Sequence, residues 1–293
     1  MTSNTTVGWI GFGNMGSRMA KRLLDHGISV VGYNRDRTKL PACPGSMSAA
    51  SPAEVAGKTR LLFIMVTDGT ASSALINGKD GILKEVAPGS IVVNLSTIAP
   101  EEAREEARTL GERRVDYLDV PVSGSVVPAE KGELLLLAGG DPEKLATIPP
   151  FLDIMGRKTL FFGPAGSGMK AKLVINALLA SHMEALAQVL LAGEELGLDR
   201  GMVLDMILDS PLATPFYRIK KTNLENRSYA KAFSLSLMTK DLGLLARELL
   251  SSGSPSPLAW GLYNDYREAQ KMGLGEQDIS SVYEYLRKRS SLP

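Results

Sequence analysis

Residues 7–16 run Val7, Gly8, Trp9, Ile10, Gly11, Phe12, Gly13, Asn14, Met15, Gly16, and their reading decides the fold. The first four form a short apolar run of strand type that leads straight into a G-x-G-x-x-G turn. A helix is expected over 17–26, where Met19, Ala20, Leu23 and Leu24 recur at helical spacing and His26 with Gly27 supplies the carboxy-terminal cap. In a chain with 29 glycines the pattern alone carries little weight. Set between a strand and a helix, it describes a tight turn whose backbone lets a pyrophosphate approach the exposed amides of the helix start. Gly11, Phe12, Gly13, Asn14, Met15 and Gly16 are therefore the expected dinucleotide cradle.

The second strand, Ser29–Tyr33, ends where such folds meet the adenosine ribose. A carboxylate there favours NAD. This chain has Asn34 and Arg35, followed by Arg37, Thr38 and Lys39. A guanidinium holds a 2′-phosphate through paired charge-assisted hydrogen bonds, so NADP(H) is expected over NAD(H). Asp36 is a charge of the opposite sense, and the same basic run also reads as a solvated turn.

Further strands are expected over 61–66, 91–95, 117–120 and 134–138, alternating with helical stretches such as 100–113. That rhythm is α/β, a doubly wound sheet of Rossmann type. Residues 41–51, rich in Pro, Ser, Gly and Ala, are expected to be loop, and Gly163, Pro164, Ala165, Gly166 punctuate the chain before its second half. This places a Rossmann domain at 1–164 and an all-helical domain at 165–293, broken by Ser, Gly and Pro over 251–257. From 169 to 196 apolar side chains occur on almost every face. One small helical domain cannot cover them all, so burial between domains or subunits, in a homodimer or homotetramer, is expected.

That same segment opens Gly166, Ser167, Gly168, Met169, Lys170, Ala171, Lys172, Leu173, Val174, Ile175, Asn176. Lys172 and Asn176 stand four apart, on one face of a helix. A buried lysine is costly unless something uses it, and desolvation tunes an ammonium toward giving and taking protons. Read alone, the residue is rather a lysine that snorkels to the surface, and the rest of the chain is what favours a functional one.

Composition narrows the classes. With 293 residues, 44% hydrophobic content and net charge +1, the chain suits an ordinary enzyme and shows no electrostatic preference for nucleic acid. No apolar run approaches the roughly 18 residues that span a bilayer, and residues 1–6 lack the basic start of a signal peptide, so a cytoplasmic location without membrane association is expected. Cys43 is the only cysteine and His26 and His182 the only histidines, which disfavours a metal site.

Taken together these residues resemble the β-hydroxyacid dehydrogenases, the group of 3-hydroxyisobutyrate dehydrogenase and the glyoxylate and succinic semialdehyde reductases. The resemblance spans nearly the whole chain. It rests on Gly11, Gly13, Met15, Gly16 and Met19; on Ser96, Thr97 and Pro100; on Pro121, Val122, Ser123 and Gly124; on Gly166, Gly168, Lys172 and Asn176; and on Phe233 with Lys240, Asp241 and Leu242. Asn94 departs from the aspartate common before the Ser-Thr pair, and Ile175 replaces the first of two asparagines that many members carry.

The resemblance implies a catalytic Lys172 with Asn176, and a cofactor held also by Met65, Val66, Ser96, Thr97 and Lys240. It implies a substrate site of Ser123, Gly124, Ser125, Lys172, Asn176, Phe233 and Asp241. Ser123 to Ser125 form a hydroxyl and amide cluster suited to a carboxylate, although without the resemblance they read as a simple turn. The implied reaction is reduction of a small carboxylated aldehyde or keto acid by NADPH, with Lys172 as proton donor. Val122 to Ser125 followed by Pro128, Ala129 and Glu130 resembles the glyoxylate and succinic semialdehyde branch more than the hydroxyisobutyrate branch. A 3-hydroxyisobutyrate or tartronate semialdehyde enzyme, an imine reductase and a non-catalytic cofactor-binding scaffold are the alternatives. Lys172 speaks against the last two.

Overall fold

The computed structural model describes residues 5–290. The chain divides into two compact units, Met1–Lys172 and Leu173–Pro293. The first runs β1 (Thr6–Ile10), α1 (Asn14–Asp25), β2 (Ser29–Tyr33), β3 (Ser46–Ser48), α2 (Pro52–Lys58), β4 (Leu61–Ile64), α3 (Gly69–Asn77), β5 (Ile91–Asn94), α4 (Pro100–Gly111) and β6 (Asp116–Asp119). It continues through β7 (Val122–Ser123), α5 (Val126–Lys131), β8 (Leu134–Gly140), α6 (Pro142–Leu145), α7 (Pro149–Met155) and β9 (Gly156–Gly163).

The strands from β3 to β6 lie parallel in the order β3-β2-β1-β4-β5-β6, the doubly wound arrangement. Alternate side chains explain why it is sandwiched. Leu62, Ile64 and Val92 join one buried cluster while Phe63 and Val93 join another, so both faces of the central strands need cover. The chain order reverses between β1 and β4. Ligands of such sheets bind in the crevice beyond the strand ends at that point, and it is where the glycine turn begins.

Three details differ from the sequence expectation. Residues 46–48, expected as loop, form the edge strand β3, paired with Val30 to Gly32; a three-residue strand of Ser, Met, Ser has no apolar alternation to announce it. Beyond β6 the parallel rhythm fails, since β8 runs antiparallel to both β6 and β7. The parallel strand β9 carries Arg157 and Lys158 at its exposed start, which masks its strand character.

A long helix, α8 (Ser167–Glu195), straddles the two units. The expectation that no segment is apolar enough to span a bilayer needs correction here, because α8 meets that test by length and composition. Single polar residues such as Lys172, Asn176 and Glu184 break each apolar run, yet the average stays high because Leu, Ala and Val fill the gaps. Of its most apolar window 44% is buried within the protein.

In the second unit α8 is followed by α9 (Arg200–Asp209), α10 (Pro215–Asn226), α11 (Leu235–Ser251), α12 (Pro257–Ala269) and α13 (Val282–Arg289). Leu173, Ala177, Ala180, Met183, Ala187 and Leu190 recur at three- and four-residue spacing and bury one side of α8 in a shared core. Tyr266 and Tyr283, both at 0% exposure, are among the largest side chains in that core.

Candidate active site

Gly11 adopts φ +100°, and a side chain there would run into the carbonyl of Met65; one at Gly16 would run into the carbonyl of Gly11. These two glycines are thus required by the protein's own packing at the switch point. Gly13 is different, because nothing lies within 4 Å of the place a Cβ would take. The turn faces an open cavity of about 270 Å³ lined by Phe12, Gly13, Asn14, Ser17 and Lys39. No described side chain caps the start of α1, and its first turn carries no acidic residue, so its amides remain suited to an anion.

Asn34 ties the turn to β2. Its Oδ1 accepts from the Phe12 amide at 2.8 Å, and its Nδ2 donates to the Asp36 carbonyl at 2.7 Å. Arg35 is exposed. Asp36, the charge that complicated the sequence reading, is engaged locally: its carboxylate accepts from the Thr38 hydroxyl at 2.7 Å and amide at 3.1 Å. Those bonds hold its pKa below the usual carboxylate value. Ser17 lines the cavity without having been singled out, and so does Lys39, which the sequence marked only as part of the basic run after β2. The only sequence signal of Ser17 is nearness to the turn.

Beyond β4, Met65 and Val66 meet the Ser96 loop, where the Val66 amide donates to Ser96 Oγ at 2.9 Å. Ser96 is fully buried, and its amide donates to Asn94 Oδ1 at 3.0 Å; Thr97 beside it is half-buried. The Asn94 departure now has a physical account. Its Nδ2 donates to Ser72 Oγ at 2.8 Å and to Glu106 Oε2 at 2.9 Å, and the Tyr117 hydroxyl donates to the same Oε2 at 2.8 Å. Burial raises the Glu106 pKa. An aspartate at 94 would set a second carboxylate against that acid, whereas the amide bonds to it.

Ser123, in β7, pairs with Leu135, and Gly124 follows with φ +137°, which favours glycine. Ser125 stands at the start of α5 without spending its hydroxyl on a cap. Asp119, four residues before Ser123, was not singled out. It is fully buried and bonds to the start of α8.

Lys172 is half-buried rather than buried, while Asn176, four residues on along α8, is 3% exposed. Asn176 Nδ2 donates to Asp241 Oδ2 at 2.6 Å, and Lys240 Nζ stands 2.8 Å from Asp241 Oδ1. That bond uses one N–H of the Asn176 amide, and its Oδ1 can accept from a hydroxyl or an ammonium. The half-buried Phe233 has its backbone fastened by Asp278, whose Oδ2 accepts from the Ala232 and Phe233 amides, each at 3.2 Å. Lys220 Nζ lies 2.7 and 2.8 Å from that carboxylate. Burial alone would raise the Asp278 pKa, but the ammonium and the hydrogen bonds outweigh it and the net direction is down. Neither Lys220 nor Asp278 was foreseen; an acid in an otherwise polar stretch gives no sign that it will be enclosed.

Two family models divide the chain between them: the NAD binding domain of 6-phosphogluconate dehydrogenase matches residues 6–163, and the NAD-binding domain of NADP-dependent 3-hydroxyisobutyrate dehydrogenase matches residues 166–286. The chain is 33% identical to mitochondrial 3-hydroxyisobutyrate dehydrogenase of Rattus norvegicus, over 99% of this chain and 90% of that one. It is 31% identical to chloroplastic glyoxylate/succinic semialdehyde reductase 2 of Arabidopsis thaliana, over 98% and 80%. Among solved structures, Mycobacterium tuberculosis 3-hydroxyisobutyrate dehydrogenase with L-serine matches with a TM-score of 0.86 at 27% identity, covering 97% of this chain and 99% of that one.

Proposed function

We propose that the chain, which belongs to the β-hydroxyacid dehydrogenase family, reduces a small carboxylated aldehyde or keto acid, succinic semialdehyde or glyoxylate foremost, with NADPH. The observation that carries this reading is the polar set on and beside α8: half-buried Lys172, and Asn176 held by Asp241, in a segment otherwise apolar. A merely structural lysine needs no such neighbour.

The residues present fit a dinucleotide. Open space over Gly13, the uncapped start of α1 and Lys39 in the cavity wall suit a pyrophosphate, and Arg35 suits a 2′-phosphate. Met65, Val66, Ser96, Thr97 and Lys240 are the further residues assigned to it. When bound, the dinucleotide supplies the hydride that reduces the carbonyl carbon. Ser123, Gly124 and Ser125 hold the substrate carboxylate by hydroxyls and amides; Phe233 and Asp241 are the substrate residues that the family resemblance adds. As charge grows on the carbonyl oxygen, the Lys172 ammonium stabilises it and gives up a proton, which solvent then returns to the amine. Oxidation of the hydroxy acid runs the same transfers backward.

NADPH consumption against glyoxylate, succinic semialdehyde, tartronate semialdehyde, methylmalonate semialdehyde and a cyclic imine tests the assignment. Turnover confined to the imine, or absent throughout, would overturn it. We also place this chemistry in an assembly of at least two chains, supported by the exposed apolar side chains Val174, Leu178, Val189, Met202 and Met206. A solution mass of a single 31.4 kDa chain would contradict that.

A further inference from the structure

We propose that Asp119 is the positioning residue that fixes Lys172 with respect to the substrate loop; the proposal rests on the reading of Lys172 as proton donor. Asp119 closes β6 at 0% exposure, between Leu118 and Val120, which are likewise fully buried. Its Oδ1 accepts from the Gly166 amide at 2.8 Å and its Oδ2 from the Met169 amide at 2.9 Å. Both amides belong to the opening of α8, where backbone donors have no partner within the helix.

The manner of this cap sets it apart. Helices α2, α3, α9, α10, α11 and α12 each take a side-chain cap from the residue immediately before them. The carboxylate that caps α8 comes from 47 and 50 residues upstream. Capping alone is satisfied by a local Ser, Thr or Asp at the surface, and enclosing a carboxylate is costly. Burial pushes Asp119 up to about 6, against the pull of the amides that bond to it. The long-range arrangement does something a local cap cannot, which is to join α8 to another part of the unit.

What it joins is specific. Asp119 leads through Val120 and Pro121 into Ser123 and Gly124, while Met169 stands three residues, one helical turn, before Lys172. One side chain thus ties the loop assigned to the substrate carboxylate to the turn that carries the assigned proton donor. Glycines keep the joint close. A Cβ at Gly139 would lie 2.6 Å from Asp119 Oδ1 and 2.7 Å from the Gly168 amide, and one at Gly168 would meet the Asp119 carbonyl at 2.5 Å. Without the carboxylate the Gly166 and Met169 amides lose the acceptor that fixes the helix start, and a displacement of about 1 Å is enough to lower turnover about a hundredfold.

The test is a double-mutant cycle on the full chain: wild type, Asp119→Asn, Lys172→Ala and the double variant, assayed with NADPH and succinic semialdehyde, and glyoxylate in parallel. NADPH affinity is read from cofactor fluorescence. Asparagine keeps the shape but turns one acceptor into a donor facing an amide. Asp119→Asn is expected to lower kcat about ten- to hundredfold with NADPH affinity unchanged, and the double variant to be no slower than Lys172→Ala beyond about threefold. Wild-type kcat in Asp119→Asn, or losses that multiply in the double variant, overturns the role of Asp119 and leaves that of Lys172 standing. Full turnover in Lys172→Ala overturns both. If Asp119→Asn does not fold by circular dichroism, Asp119→Ser, which retains one acceptor, takes its place in the cycle under the same criteria.

Discussion

The glycine turn after β1 and the polar cluster of the helical unit handle charge in opposite ways. Around residues 11–16 the protein offers backbone: positive φ at Gly11, an uncapped helix start, and open space over Gly13, with basic side chains only at the exposed rim. In the helical unit the side chains carry everything, with Asn176, Asp241 and Lys240 in one chain of contacts and Lys220 with Asp278 in another. Backbone sites are set by conformation and survive most side-chain changes. Side-chain sites are set by pairing, and one substitution leaves a buried partner behind.

The largest effect should fall on the helix to which the proton transfer is assigned. Lys172→Ala is expected to lower turnover by about two to four orders of magnitude, the usual weight of a positioned proton donor, with NADPH affinity nearly intact. Asn176→Ala should cost less, because it removes an orienting group rather than the proton. Steady-state kinetics with cofactor titration checks both. A collapsed melting temperature with lost cofactor binding would instead show that this helix needs the residues for folding.

Next comes the buried pair. Lys220→Met leaves the Asp278 carboxylate enclosed without its ammonium and is expected to destabilise the protein by about 3–5 kcal/mol, toward the low end since the Ser280 hydroxyl and backbone amides still bond to it. Denaturant titration gives the number. A loss under about 0.5 kcal/mol would erase the contrast between the two regions, since that is what an exposed pair contributes.

Arg35→Ala probes the rim of the backbone site. A hydrogen bond to a charged group contributes about 1.5–3 kcal/mol, so KM for NADPH should rise roughly ten- to hundredfold while KM for NADH changes little. Asp36 stays ionised under the Thr38 hydrogen bonds, and Lys39, 3.9 Å from its carboxylate, offsets part of that charge. Equal losses with both cofactors would make Arg35 a support of the turn.

How far the sequence disclosed these features follows the same division. The strand, turn and helix at residues 6–25 were legible because their signals are local: an apolar run, spaced glycines, a helical period. The place of β8 and β9 was not, since pairing direction is decided by residues far apart in the chain. Asp119, Asp278 and Glu106 escaped for a related reason, as a carboxylate looks alike in sequence whether it meets solvent or an amide 47 residues away. Two of them did leave a trace. Asp119 sits inside the apolar run from Tyr117 to Val122, and Glu106 shares the buried face of α4 with Ala103 and Leu110 at spacings of three and four. An acid on an apolar face is a signal for enclosure, and reading it so would have found both.

The smallest effect belongs to an acid pair in the helical unit. Glu184 is raised to about 7, chiefly by burial and then by the charge of Asp265, while Gln188 Nε2 donates to its Oε1 at 3.0 Å. A carboxyl whose folded pKa lies above its unfolded value of 4.5 is favourable in its protonated form. Its contribution is complete below the unfolded value and is lost as pH rises through about 7. The wild type should therefore lose stability between pH 4.5 and 7 from this group, and Glu184→Gln, which stays neutral, should not. Because the side chain keeps some contact with solvent, the difference above pH 8 is on the order of 1–2 kcal/mol in favour of the glutamine variant. Thermal melts of the two proteins at pH 5 and pH 8 decide it: equal differences at both values would mean that Glu184 is already ionised in the folded chain at pH 5.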